Sequence, residues 1–257
     1  MLSGRGGIGH MKGVILAGGK GTRLHPLTKA TNKHLLPVGR EPMLYHCIRQ
    51  LRSARIDDIL VVTSTEHMGD VVRCLGTGAE FGCALTYRVQ EDALGIAHAL
   101  GLAEGFAGGE RICVILGDNV FEYSIAPYAD AFRLQDKGAR VLLKAVEEPR
   151  HYGVAALDEK HVIEIEEKPD APKSNYAVVG LYFYDHTVFE HIRQVVPSAR
   201  GELEITSVNN RYIAAGMLQY DVVHGAWTDA GKHETYQEAN RILFANGNEL
   251  RIGARSR

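Results

Sequence analysis

Hydrophobic positions between Lys12 and Val146 follow two alternating rhythms. Lys12–Leu16, Ile59–Thr63, Ala84–Val89, Arg111–Leu116 and Val141–Val146 are short aliphatic runs rich in β-branched residues. Runs of that length predict strands, and the least interrupted of them predict strands covered on both faces, as in a parallel sheet. Between them, Met43–Ala54 sets Leu44, Cys47, Ile48 and Leu51 at helical spacing. His67–Leu75, Ile96–Ala103 and a segment opened by Pro127 and ending at Asp136 also predict helices. Strand and helix in turn imply an α/β fold: a mostly parallel, doubly wound sheet with helices on both faces. After Val146 the rhythm changes. Short strands over Gly153–Leu157, Val162–Glu166 and Ala177–Tyr184 follow one another with turns between. They predict a small antiparallel insertion packed against the sheet, forming the far wall of a cleft. Helices are expected over Thr187–Val196, Glu204–Ala215 and Glu234–Ala245, with a strand at Leu218–Val223.

Composition narrows the picture without redirecting it. The 257 residues are 45% hydrophobic and 23% charged, which fits an ordinary globular chain with a sizeable core. A net charge of −2 gives no basic footprint of the kind nucleic-acid binding leaves. No apolar stretch approaches the length needed to cross a bilayer, so no membrane partner is expected and a cytoplasmic location is. Cys47, Cys74, Cys83 and Cys113 fall singly, without metal-binding spacing, and read as reduced thiols. Met1–His10 reads as a poorly ordered extension or cloning scar ahead of a start at Met11.

The chemistry begins where the first strand ends. Val14–Leu24 reads V-I-L-A-G-G-K-G-T-R-L. Gly18, Gly19 and Gly21 let the backbone turn sharply and bring N–H groups close to an anion, while Lys20 and Arg23 supply positive charge beside them. This predicts a phosphate site. The dinucleotide fingerprint fails because Leu24 stands where its third glycine is needed, which argues against a nicotinamide-dependent oxidoreductase. A nucleotide-binding P-loop fails because the lysine precedes Gly21 and Thr22. Lys29 and Lys33 lie in a basic segment just downstream. Ligands of such sheets bind beyond the carboxyl ends of the strands, where Q-E-D-A-L-G follows one strand and G-D-N another. Asp118 and Asp229, taken singly, are ordinary turn aspartates; beside a phosphate loop they form a candidate Mg²⁺ pair. Glu166, Glu167 and Lys168, and likewise Arg200, Glu202 and Glu204, read equally well as solvated charge or a helix start.

Several motifs carry a family resemblance: L-A-G-G-K-G-T-R-L-H-P-L-T, N-K-H-L-L-P-V, L-G-D-N, Y-G-V, E-E-K-P, P-K-S-N-Y-A-V-V-G-L-Y-F-Y-D, A-R-G-E-L-E-I-T and W-T-D-A-G. In this order they resemble the sugar-nucleotide pyrophosphorylases, and among them the glucose-1-phosphate thymidylyltransferase family, over Lys12 to about Asn246. The resemblance implies dTTP and glucose 1-phosphate as substrates, Mg²⁺ as cofactor and a homo-oligomer. It implies one nucleotidyltransferase domain over 11–250, with a nucleotide-binding part at about 11–125, a sugar-binding part at about 126–230 and a basic tail at 251–257. It implies that Gly18 to Arg23 wrap the nucleotide phosphates, with Leu16, Gly18, Gly19, Gly21 and Thr22 in that site, and that Gln90 and Gly95 read the pyrimidine. Arg23, Lys33 and Asp118 become the catalytic candidates, and Asp118 and Asp229 the metal ligands. Gly153, Glu167, Lys168, Val178, Tyr182 and Arg200 fall around the sugar phosphate. His34 and His98 stand where relatives often have glutamine, and Thr228 and Ala230 replace a leucine and a threonine common beside the second aspartate. The early end of the chain implies a short form without the C-terminal extension of longer members, hence weak feedback inhibition. A uridylyltransferase of the same mechanism and a non-catalytic sugar-nucleotide sensor are the remaining alternatives.

Overall fold

A computed structural model describes residues 10–245. Residues 1–9 of the expected extension, the last residues of the expected domain beyond 245 and the tail at 251–257 lie outside the described residues. The chain runs β1 (Met11–Ala17), β2 (Pro37–Val38), β3 (Glu41–Pro42), α1 (Met43–Ser53), β4 (Asp58–Ser64), α2 (Met68–Leu75), β5 (Ala84–Gln90), α3 (Ile96–Gly101) and α4 (Glu104–Ala107). It continues through β6 (Arg111–Leu116), β7 (Asn119–Phe121), α5 (Ala126–Leu134), β8 (Ala139–Ala145), β9 (Gly153–Leu157), β10 (Val162–Glu167) and β11 (Tyr176–Tyr184). The last elements are α6 (Val188–Arg193), α7 (Ile205–Ala214), β12 (Leu218–Val222), β13 (Trp227–Asp229) and α8 (His233–Ala245).

Strands β6, β1, β4 and β5 form a parallel run in that spatial order. Alternate residues of β1 feed the two faces: Val14 and Leu16 pack with α3, α6 and α7, whereas Ile15 and Ala17 pack with α1, α2 and α5. Both layers are apolar, which is why the middles of β1, β4 and β6 lack a polar alternate, whereas β5, at the sheet edge, alternates exposed and part-buried residues. Gly13 lets α1 settle onto the sheet, since a Cβ there would lie 2.8 Å from Leu51 Cδ1. A third, smaller cluster holds α8 through Ala239, Ile242 and Leu243 against Val120 and Ala230.

The antiparallel strands depart from expectation. They are not layered on the sheet but extend it: β11 pairs antiparallel with β6, β8 and β9, and β9 carries β10 at its outer edge. The reason lies in β11, nine residues of which all but Tyr176 are buried, the pattern of a central strand rather than a half-exposed one. Its register against β8 shifts between Val178 and Tyr182. Gly180 sits at that irregularity, and a Cβ there would come within 2.6 Å of the Asn119 side chain. The sheet therefore bends around Asn119, next to the pair of residues with most chemical interest.

Candidate active site

The parallel strands end on a common rim. β1 runs into the glycine loop, β5 ends at Gln90, and β6 ends at Leu116 just before Asp118. Gly21 takes φ +66°, where a Cβ would also lie 2.8 Å from Lys33 Cβ, so glycine is required by both conformation and space. Thr28 Oγ1 donates to the Gly21 carbonyl at 2.8 Å and pins the turn. Two cavities of about 220 and 200 Å³ open along this rim. Leu16, Gly18, Gly19, Lys33, Gln90 and Gly95 line the first. Arg23, Gly153, Glu167, Lys168, Val178, Tyr182 and Asp229 line the second. Ile96, Leu116 and Asp118 belong to both, so Asp118 stands where the two spaces meet.

A two-stranded ribbon brings the second aspartate there. β13 pairs antiparallel with β7 and sets Asp229 opposite Asn119. Strands of three residues carry no readable periodicity, so the expected pairing of Asp229 with Asp118 had no strand register behind it in the sequence. Asn119 ties the pieces together: its Oδ1 accepts from Gly180 N–H at 2.9 Å and Trp227 Nε1–H at 2.8 Å, and its Nδ2 donates to Asp118 Oδ1 at 2.9 Å. The Asp118 carbonyl accepts from Ala230 N–H at 2.7 Å.

The two carboxylates live in different electrostatic surroundings. Burial disfavours ionisation of Asp118, but the Lys33 ammonium, 2.5 Å from its Oδ2, outweighs it and holds the carboxyl below its ordinary value. Asp229 is pushed the other way, by burial and then by the negative Asp118, with Arg23 and Lys33 offsetting part of the effect. Its Oδ1 is buried and accepts no hydrogen bond. An unpartnered buried carboxylate oxygen beside a second carboxylate is a place where a cation lowers the energy. Among the described residues no group of three or more His, Cys, Asp or Glu could enclose a metal. Two hard oxygen donors and an incomplete shell fit a divalent cation of the Mg²⁺ kind, which takes its remaining ligands from phosphates and water. His34, buried beneath the first cavity, is lowered to about 3 by burial and by Lys33, and so stays neutral.

On the second cavity, Lys168 occupies φ +46°, unusual for a lysine and followed by Pro169. Its N–H donates to Tyr152 O at 2.9 Å, and its Nζ lies 3.2 Å from Glu167 Oε1. Glu167 Oε2 accepts from Thr206 Oγ1 at 2.6 Å. Two expected placements differ. Arg23 lines the second cavity rather than the first, because the turn after Gly21 carries it towards Gly231, whose would-be Cβ lies 3.3 Å from an Arg23 terminal nitrogen. Arg200 lines neither; it is held by carboxylates, 3.0 Å from Glu202 and 3.6 Å from both Glu167 and Glu204. Gly21 and Thr22 shape the loop without lining either cavity. Sequence reasoning passed over Thr206, Asn209 and Trp227 in the second cavity, and Glu202, which it read as solvated charge or a helix start, lines the first. Glu202 arrives by a loop crossing, in which Leu203 N–H donates to Leu94 O and Ala97 N–H to Leu203 O. A Cβ on Gly95 would stand 2.5 Å from Leu203 O, so this crossing requires glycine there.

A doubly wound sheet with a glycine turn, paired aspartates and two joined cavities defines a class, and the nucleotidyl transferase family profile matches residues 12–246. The chain belongs to that family. It is 43% identical over 233 residues to a glucose-1-phosphate thymidylyltransferase of Neisseria meningitidis, covering 89% of this chain and 81% of the relative. It is 40% identical over 247 residues to the enzyme of that name from Mycolicibacterium smegmatis, covering 95% and 85%. A Bacillus anthracis structure assigned as a glucose-1-phosphate thymidylyltransferase, crystallised with sucrose, superposes with a TM-score of 0.88 at 54% identity over 95% of this chain and 98% of that one. A UDP-glucose pyrophosphorylase bound to UDP-glucose shares the fold, with a TM-score of 0.81 at 24% identity over 92% and 99%. Among the described residues no helix is long and apolar enough to cross a membrane.

Proposed function

We propose that the protein joins dTTP to glucose 1-phosphate, giving dTDP-glucose and diphosphate, with Mg²⁺ as the metal. The observation that carries this is the shared wall at Asp118: a cavity beside the glycine loop and Gln90 meets a cavity beside Glu167 and Lys168. A substrate in each would bring its phosphates to the same point. The sugar phosphate oxygen attacks the α-phosphorus, a new P–O bond forms, and the bond to the β-phosphate oxygen breaks with diphosphate as leaving group. No protein nucleophile is needed, and positioning and charge neutralisation supply the rate. Gly18 and Gly19 leave room for phosphate to approach the backbone. Lys33, lining the first cavity, and Arg23, lining the second, neutralise the phosphates, and Lys168 holds the sugar-side phosphate. Asp118 and Asp229 would hold Mg²⁺, whose chemistry is to polarise phosphoryl oxygens and offset developing negative charge.

The base edge of thymine equals that of uracil, so dTTP preference rests on the methyl and the absent 2′-hydroxyl, worth roughly 10–200-fold at most for one methyl. The relatives named for thymidylyl transfer support dTTP. Diphosphate release measured over a grid of nucleoside triphosphates and sugar 1-phosphates with Mg²⁺ tests the proposal. The highest kcat/KM is expected for dTTP with glucose 1-phosphate. A higher value for UTP would make the protein a uridylyltransferase, and no release with any pair would leave a binding protein.

A further inference from the structure

Beside the first cavity, outside its lining but in contact with Gln90, stands a histidine that the reaction does not use. His98 lies on α3, half-buried, one turn below the loop that carries Gly95. The Gln90 amide nitrogen stands 3.3 Å from the Gly95 carbonyl and 3.0 Å from His98 Nδ1. A backbone carbonyl only accepts, so the amide atom facing it is the nitrogen, and Gln90 has two N–H groups to give. One goes to Gly95 O and the other to His98 Nδ1. That ring nitrogen therefore carries no proton, which fixes His98 as the neutral tautomer protonated on Nε2. With both donors committed, the amide offers its oxygen elsewhere. Gln90 Oε1 lies against the glycine loop, 2.8 Å from where a Gly18 Cβ would be. Gln90 is 7% exposed and lines the first cavity, so the rest of its side chain is enclosed by protein.

We propose that His98 is a positioning residue for nucleotide choice, locking the Gln90 amide so that the cavity presents an acceptor to the pyrimidine. The inference rests on the reading of this cavity as the pyrimidine site. An acceptor matches a base that donates from its ring N3–H, as thymine and uracil do. Cytosine turns a lone pair to the same place, so the locked amide repels it. Without the Nδ1 acceptor the amide loses one of two anchors that hold it, and a half-turn about its last bond presents N–H instead. His98 thus separates imide pyrimidines from cytosine without touching either.

Titration calorimetry of dTTP and dCTP against the whole protein, in the absence of sugar phosphate, tests this with His98→Ala, His98→Leu and His98→Asn. Asparagine returns a carbonyl oxygen to the position of Nδ1, whereas alanine and leucine return no acceptor. The Ala and Leu variants are expected to weaken dTTP about tenfold and to shrink the dCTP-to-dTTP ratio of Kd at least fivefold, while His98→Asn stays within twofold of wild type. KM for glucose 1-phosphate and kcat should be nearly unchanged in all three. An unchanged Kd ratio in folded His98→Ala and His98→Leu overturns the inference, as does an Asn variant that behaves like Ala. If wild-type protein binds no pyrimidine nucleotide, the functional reading fails and this inference with it; if it binds dTTP and only the ratio stays put, the inference alone fails.

Discussion

The two cavities are built by opposite means. The one beside Gln90 is made at the ends of consecutive parallel strands, where backbone and glycine do much of the shaping. The one beside Lys168 is made of side chains from β9, β10, β11, α7 and β13, brought together by pairings far apart in sequence. A phosphate chain shared by all nucleotides suits the first kind of wall, because backbone N–H groups bind phosphate without reading anything else. A sugar with several hydroxyls suits the second, where Glu167, Thr206 and Asn209 offer directional polar groups. The junction borrows from both, with Asp118 from a parallel strand end and Asp229 from the ribbon.

The largest expected effects come from breaking that junction. Asp229→Asn removes a charge of almost unchanged volume from an oxygen that has no partner to strand. Turnover should fall by about 10²–10³-fold, the scale of losing a group that stabilises developing charge, with the melting temperature unchanged or higher. Asp118→Asn should lose turnover as severely and stability besides, because it leaves buried Lys33 facing a neutral amide; breaking such a pair costs about 3–5 kcal/mol. Diphosphate release together with urea unfolding separates the two, and equal stability losses would sink this account of their surroundings.

Next in size is the crowded contact behind the junction. Gly180→Ala drives a methyl into Asn119, which cannot retreat without giving up Trp227, Gly180 or Asp118. A loss of about 1–3 kcal/mol in urea unfolding is expected, the usual range for overpacking. It should be accompanied by lower kcat, because Asp118 loses its Asn119 donor. Lys168→Ala, in contrast, touches only the second cavity. KM for glucose 1-phosphate should rise about tenfold while KM for dTTP stays within twofold, a split that marks ground-state binding of one substrate. Parallel rises in both would place Lys168 at the junction instead.

The same contrast decides what was legible in the sequence. β1, β4 and β6 advertise themselves because both faces are buried, and the glycine turn is a local feature of eleven residues. The resemblance supplied Gly153, Glu167, Lys168, Val178 and Tyr182 of the second cavity, yet physical reasoning alone left Glu167 and Lys168 as solvated charge. Nothing within a few residues of Asp229 shows that it meets Asp118, since the link is the register of two three-residue strands. Nor does any local pattern show that β11 enters the middle of the sheet or that Asn119 has Gly180 and Trp227 as partners. Arg23 illustrates the remaining gap: its place in the loop was clear, but the turn after Gly21 sent the side chain to the other cavity.

The smallest predicted effect concerns the support beneath the ribbon. His46 on α1 is buried, and its Nε2 accepts from Phe121 N–H at 3.1 Å, while Gln50 Oε1 accepts from Ile125 N–H at 3.1 Å. Protonation of His46 would turn its acceptor into a donor aimed at a donor. Burial, and then the positive Arg49, lowers the imidazole from 6.5 to about 4. Because the folded value lies below the unfolded one, the unfolded chain binds the extra proton between those limits. The stabilisation is therefore complete above about pH 6.5 and is lost as pH falls through that window. From pH 7 to 5.5 this one group should cost about 1 kcal/mol. His46→Gln keeps an acceptor near the Nε2 position and does not titrate, so the stability of wild type minus variant should decline by that amount over the same range. Contributions of groups common to both proteins cancel in the difference. A flat difference would mean that His46 keeps its ordinary proton affinity, and that the floor of the ribbon is open to water.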